Sequence, residues 1–181
     1  MKIFITGGAK NGKSSLAQEF AVQLASGGPH YYVATMIPSD QEDRDRIAHH
    51  IADREGMGFI TLEQGRNIQE CLEKADPKGT FLLDSVTALL LNELFPDPTS
   101  CEMDVTAPHR CKEQLGQFLD GIANGVLVSD YIYSDAQRYD PVTECYRKGL
   151  AELDRFLAQK CDTVVEVSAG QLILHIGRLP E

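Results

Sequence analysis

The stretch FITGGAKNGKSS, Phe4 to Ser15, closes an apolar run and then sets glycines and two lysines, Lys10 and Lys13, in a chain that is otherwise acidic. Within it Gly7, Gly8, Ala9, Lys10, Asn11, Gly12, Lys13 and Ser14 match GxxxxGK[ST] in full. Glycines allow the backbone to curl around an anion, and the N–H groups of the loop and of the helix behind it then point at phosphate oxygens, aided by the helix dipole. On this pattern Lys13 bridges the β and γ phosphates of a nucleoside triphosphate and Ser14 offers its hydroxyl to Mg²⁺. Lys10 is unconstrained by the motif and reads as a solvated loop residue. A Gly-rich turn with no ligand would need neither flank. Here a strand pattern precedes the loop and a helix pattern follows it, as the nucleotide reading requires.

Lys2 to Thr6, Tyr31 to Ala34, Phe81 to Asp84, Val126 to Ser129 and Thr163 to Val167 are short runs rich in β-branched and aromatic residues, suited to strands covered on both faces. Helical patterns lie between them. Ser14 to Ala25 carries Leu16, Phe20 and Leu24 on one stripe and is stopped by Gly27, Gly28 and Pro29. Pro108 to Ile122 and Val142 to Gln159 are the other clear cases. Alternation of this kind predicts one α/β domain over residues 1–181, with a phosphate-loop NTPase-like, mostly parallel sheet and helices on both faces. Leu172 to Ile176 follows the preceding strand across only Ser168 to Gln171, too short for a parallel crossover, and so predicts an antiparallel hairpin edge at the C-terminal side. The polar, Pro-containing stretch from Phe95 to Pro108 reads as a surface loop.

Composition narrows the partners. A net charge of −10 argues against a general nucleic-acid or anionic-membrane binder, since basic surfaces hold phosphate backbones. An anionic ligand must therefore be held by a local cluster. No apolar run approaches the roughly 20 residues of a membrane span, and the N-terminus enters a strand at once; a cytoplasmic protein is expected. Cys71, Cys101, Cys111, Cys145 and Cys161 form no CxxC pair and read as free thiols.

Two further places bear on chemistry. Asp84 closes an apolar strand, where a phosphate-loop domain wants a carboxylate for the magnesium shell; a strand-end Asp capping the next segment fits the same pattern. Glu63, after Thr61 and Leu62, reads by itself as surface. Asp43 to Glu55 is DRDRIAHHIADRE, with Arg44, Arg46 and Arg54 around His49 and His50. At helical spacing Arg46, His50 and Arg54 share a face. Such a face can be a solvated surface, or it can present an imidazole that attacks an α-phosphate while guanidinium groups offset the charge. Adjacent histidines do not share a helix face, which argues against zinc.

The ordered set TGGAKNGKS, YYVAT (Tyr31 to Thr35), RIAHHIADR (Arg46 to Arg54), TLE (Thr61 to Glu63) and FLLDSVTALLLNEL (Phe81 to Leu94) resembles the bifunctional adenosylcobinamide kinase/adenosylcobinamide-phosphate guanylyltransferase family of cobalamin biosynthesis. The resemblance implies a homotrimer that phosphorylates adenosylcobinamide with ATP or GTP and Mg²⁺, and then transfers GMP from GTP through a guanylyl-histidine. The family pattern puts that histidine at His50, four residues after the arginine of RIxxH. It puts nucleotide contacts on Gly7 to Ser14, on Ala34, Thr35 and Met36, on Ile51, Ala52, Asp53 and Arg54, and on Glu63 and Asp84, with Ser14 and Asp84 toward the metal.

The second half departs from the family. Val128 to Tyr133, VSDYIY, stands where members carry a TNEVGxG-like stretch, and Tyr146 to Arg155, YRKGLAELDR, where they carry FRDxxGxxNQ, with Asp154 at the asparagine position. The intact loop and histidines favour both reactions. The altered half leaves open a relative with one activity or another substrate, or a nucleotide-binding regulator without turnover.

Overall fold

The computed structural model describes residues 1–97, 99–100, 102–133 and 136–180. Seven strands form one sheet: β1 (Lys2–Gly7), β2 (His30–Ala34), β3 (Ile60–Glu63), β4 (Thr80–Asp84), β5 (Asn124–Asp130), β6 (Thr163–Ser168) and β7 (Gln171–Ile176), in the order β3-β2-β4-β5-β1-β6-β7. All neighbours pair in parallel except β6 and β7. The expected hairpin edge is there, turned by Ala169 and Gly170, both at positive φ (50° and 74°), the geometry that fits the twist of a two-residue hairpin.

Helices cover both faces, because alternate residues of each buried strand point to opposite sides. Ile3, Ile5, Leu82, Val126, Val128 and Val165 meet Ala17, Phe20 and Ala21 of α1 (Lys13–Ala25). On the other face Phe4, Val33, Phe81, Leu83 and Leu127 pack under α4 (Val86–Leu94), α5 (Ala107–Gly121) and α6 (Pro141–Lys160). A 3₁₀ turn at Ile68–Glu70 runs into the single turn α3 (Cys71–Lys74) and adds Ile68 and Cys71 to this core. Cys71, Cys111, Cys145 and Cys161 are free thiols. Cys101 lies outside the described residues. Among those residues no helix is long and apolar enough to cross a membrane.

The charged segment forms α2 (Gln41–Asp53), whose start is fixed by Asp40 accepting from the Asp43 N–H at 2.9 Å. No residue within α2 is buried; the contact with the body comes at its C-cap, Arg54. β3 is a strand that local pattern did not announce: its four residues show no alternation, and its pairing with β2 defines it. The polar stretch before α5 carries neither helix nor strand among its described residues, as expected, yet it is tied down. Arg110 bridges Asp104 at 2.7 Å and the buried Glu93 at 3.0 Å. Pro98 of that stretch is outside the described residues.

Candidate active site

β1 to β5 run parallel and end at one edge of the sheet, so that register gathers residues far apart in the chain. Gly7 pairs with Asp130, while Ala34 pairs with both Glu63 and Asp84. The carboxyl ends of parallel strands are where open α/β sheets bind ligands.

At the end of β1 the chain turns through the glycine loop into α1. A Cβ on Gly7 would lie 2.3 Å from the Val167 carbonyl oxygen, so no side chain fits there. Gly12 takes a left-handed conformation (φ 87°) and hands the chain to Lys13, the first residue of α1. Lys10 is exposed, also at positive φ (58°), as a solvated loop residue would be. The Lys13 side chain is only 5% exposed. Its Nζ donates to the Gly8 carbonyl oxygen at 2.6 Å and to Asp130 Oδ1 at 2.6 Å. The sequence held no sign of that second partner, because the register of β1 with β5 brings it there. Ser14 is half-buried at the start of the helix, beside Lys13.

A cleft of about 480 Å³ opens under α2, at the ends of β2, β3 and β4. Met36, Ile37, Pro38, Ile47 and Ala88 give it apolar walls, and Tyr32 and Ala34 line its sheet side. Its polar groups are Arg44, His50, Arg54, Glu63, Gln64, Asp84 and Ser85. The structure therefore brings His50, Arg54, Ala34, Met36, Glu63 and Asp84 into one cavity. The loop residues Gly7 to Ser14 are not among its lining, and β1 lies two strand spacings from β4, about 10 Å across the sheet.

The two histidines differ sharply. His49 is 78% exposed and faces Asp53 at 3.6 Å. His50 is half-buried against the cleft, and its Nδ1 is sequestered from solvent with no hydrogen-bond partner among the described residues.

Arg54 anchors the helix. Its guanidinium lies 4.0 Å above the Tyr32 ring, and it donates to the His50 carbonyl oxygen at 2.7 Å and to Thr61 Oγ1 at 3.3 Å. Tyr32 in turn donates to Asp84 Oδ2 at 3.0 Å. Burial, reinforced by the Asp84 charge, holds the Tyr32 phenol well above its ordinary range, so it remains a neutral donor. Arg46 turns outward to Glu42 at 3.2 Å and does not line the cleft; Arg44 does.

Several expected contacts lie elsewhere. Thr35 is fully buried: its Oγ1 donates to the Ser85 carbonyl oxygen at 2.8 Å and accepts from the Ser85 N–H at 2.7 Å, which pins the end of β2 to the end of β4. Ile51, Ala52 and Asp53 are exposed and outside the cleft lining. Conversely, Arg44, Ile47 and Gln64 line the cleft without having been singled out as contacts. For Ile47, three residues before His50, the signal was the helical spacing; Arg44, six residues before it, carried no such signal.

The family pattern described as cobinamide kinase / cobinamide phosphate guanyltransferase matches residues 3–174. The bifunctional adenosylcobalamin biosynthesis protein CobP of Pseudomonas aeruginosa is 31% identical over 172 residues, 94% of each chain. CobU of Escherichia coli is 33% identical over 98 residues, 52% of this chain and 51% of that one. Among solved structures, a KaiC-like protein from Pyrococcus horikoshii superposes with a TM-score of 0.52 at 16% identity, covering 98% of this chain and 79% of that one. The flagellar accessory protein FlaH from Methanocaldococcus jannaschii gives 0.50 at 14%, covering 98% and 78%. These two share the fold alone. The match along nearly the whole chain shows that the chain belongs to the cobinamide kinase/cobinamide phosphate guanyltransferase family.

Proposed function

We propose that the chain carries out the two reactions of its family at adjacent places on one sheet edge, phosphorylation at the glycine loop and guanylyl transfer in the cleft under α2. The observation that supports this reading is the His50 ring: it lines a cavity with two arginines and two carboxylates, while the neighbouring His49 points to solvent.

In the first reaction the loop N–H groups and Lys13 hold the β and γ phosphates of ATP or GTP while the hydroxyl of adenosylcobinamide attacks the γ phosphorus. Mg²⁺, when bound, neutralises charge on the phosphates. Ser14 and Asp84 would hold it. The fit rests on Asp84 standing at a strand end with one oxygen already oriented by Tyr32. A hydroxyl and one carboxylate suit an ion that keeps phosphate and water ligands.

In the second reaction an imidazole nitrogen of His50 attacks the α phosphorus of GTP. A P–N bond forms, the α–β bridging P–O bond breaks, and pyrophosphate leaves. A phosphate oxygen of adenosylcobinamide phosphate then displaces the histidine and takes the GMP. Arg54 is committed to His50, Thr61 and Tyr32, so Arg44 is the cleft cation available to the phosphates. Glu63, an acceptor in the same cavity, suits the N–H donors of a guanine edge. A cytoplasmic homotrimer completes the reading. Leu172, Ile173, Leu174 and Ile176 of the edge strand β7 are exposed, which supports association of some kind.

Incubation with α-labelled GTP followed by denaturing electrophoresis should leave acid-labile label on the wild type and none on His50→Ala. Release of that label on adding adenosylcobinamide phosphate tests the second half-reaction. Label persisting on His50→Ala would move the nucleophile elsewhere and end this assignment.

A further inference from the structure

The Lys13 ammonium has three N–H donors, and the fold uses two of them, on the Gly8 carbonyl oxygen and on Asp130. One remains for a phosphate. Two oxygens held on a single ammonium at ordinary charge-assisted distances stand about 4–5 Å apart. A triphosphate seated on Lys13 therefore brings a phosphate oxygen close to the Asp130 carboxylate without displacing it.

The position of Asp130 is fixed by backbone rather than by chance of rotamer. It is the last residue of β5 and pairs with Gly7; its N–H donates to Thr87 Oγ1 at 2.8 Å, and the N–H of Tyr131 donates to the Gly7 carbonyl oxygen at 3.2 Å. One oxygen is on Lys13, and the side chain is 32% exposed, so the carboxylate is reachable from the edge where an acceptor must enter. The Lys13 ammonium offsets the charge of a carboxylate set beside a triphosphate. An attacking alcohol has a proton to lose, and a carboxylate at hydrogen-bonding reach of the attacking oxygen takes it.

We propose that Asp130 is the catalytic base of the phosphorylation step. The acceptor hydroxyl oxygen forms the new O–P bond to the γ phosphorus, its proton passes to Asp130, and the bond from the γ phosphorus to the β–γ bridging oxygen breaks to release the nucleoside diphosphate. Lys13 holds both the base and the phosphate, so the two stay in fixed relation. This assignment rests on the kinase reading above, and it belongs to the loop, not to the histidine cleft.

The test compares wild type, Asp130→Asn and Asp130→Glu in three measurements: phosphorylation of adenosylcobinamide, nucleotide affinity by titration calorimetry, and labelling by α-labelled GTP. Asp130→Asn keeps an acceptor for Lys13 but not the basicity. Its phosphorylation kcat should fall by about 10²-fold or more, with nucleotide Kd unchanged or tighter and labelling retained. Asp130→Glu should recover part of the rate. Wild-type kcat in Asp130→Asn would overturn the assignment. So would a loss explained by weakened nucleotide binding, because Asp130 would then serve only to place Lys13. A wild-type chain that phosphorylates no adenosylcobinamide, whatever the variants do, would overturn the kinase reading and this assignment with it.

Discussion

Arg54 stacks on Tyr32 with its guanidinium carbon 4.0 Å from the ring centroid, and this contact joins the helix that carries His50 to the strand end that carries Asp84. A desolvated cation–π contact contributes up to about 2 kcal/mol and a charged hydrogen bond about 1.5–3 kcal/mol. Removing both in Arg54→Ala should free α2, none of whose own residues is fully buried. Guanylyl labelling should slow by about tenfold or more, and amides 41–53 should exchange faster by mass spectrometry. Unchanged exchange in that segment would show that something other than Arg54 holds the helix.

His49→Ala provides the contrast to His50→Ala. Its ring is solvent-exposed and its one close partner, Asp53, is itself partly exposed, so the pair contributes little. Labelling should continue at near wild-type rate and stability should change by no more than about 0.5 kcal/mol. A His49→Ala variant that lost the label would mean that the cleft-facing ring is not the nucleophile.

Lys13→Ala removes the positive charge buried in the loop and leaves Asp130 without its ion pair. Triphosphate affinity should drop at least tenfold and phosphorylation should cease, both measurable by calorimetry and product assay. Intact turnover would remove the loop from the reaction altogether.

Asp154 should govern a pH dependence of stability. Burial is the main cause that lifts its carboxyl to about 6, with the Asp130 charge adding to it and the Ser129 and Tyr133 hydroxyls opposing it. The folded chain thus binds this proton more tightly than the unfolded chain, so the group favours folding below its unfolded value of about 4, and stability falls as pH rises through about 6. Asp154→Asn keeps an acceptor for the Tyr133 hydroxyl, now at 2.8 Å from the carboxylate, and removes the buried charge. Denaturant melts should find the variant more stable by up to about 3 kcal/mol at about pH 8, with the advantage shrinking toward about pH 4. A gap independent of pH would rule out titration of Asp154 as its origin.

Much of this was legible in the chain itself. Adjacent residues such as Ile3 and Phe4 or Leu82 and Leu83 announce buried parallel strands because both faces must be apolar, and the loop announces itself because few sequences can curl around an anion. What escaped was set by register. Asp130 meets Lys13 because β5 lies beside β1, a relation across more than a hundred residues that no local window contains. β3 escaped because its four residues mostly face solvent and become a strand only through β2. The family resemblance named Thr35 with its neighbours Ala34 and Met36 as contacts, yet its side chain faces inward to Ser85, since adjacent residues of extended chain point opposite ways.

The lack of any buried side chain within α2 gives the enzyme an uneven tolerance to inheritance. If guanylyl transfer rests on His50, as proposed above, a lineage can erode Arg44, Ile47 and His50 and lose that reaction while the core and the phosphate loop stay folded. Along β1 and β5 the margin is narrower, because most of their side chains are buried at the centre of the sheet, and only strand-end positions such as Asp130 can change without striking the core.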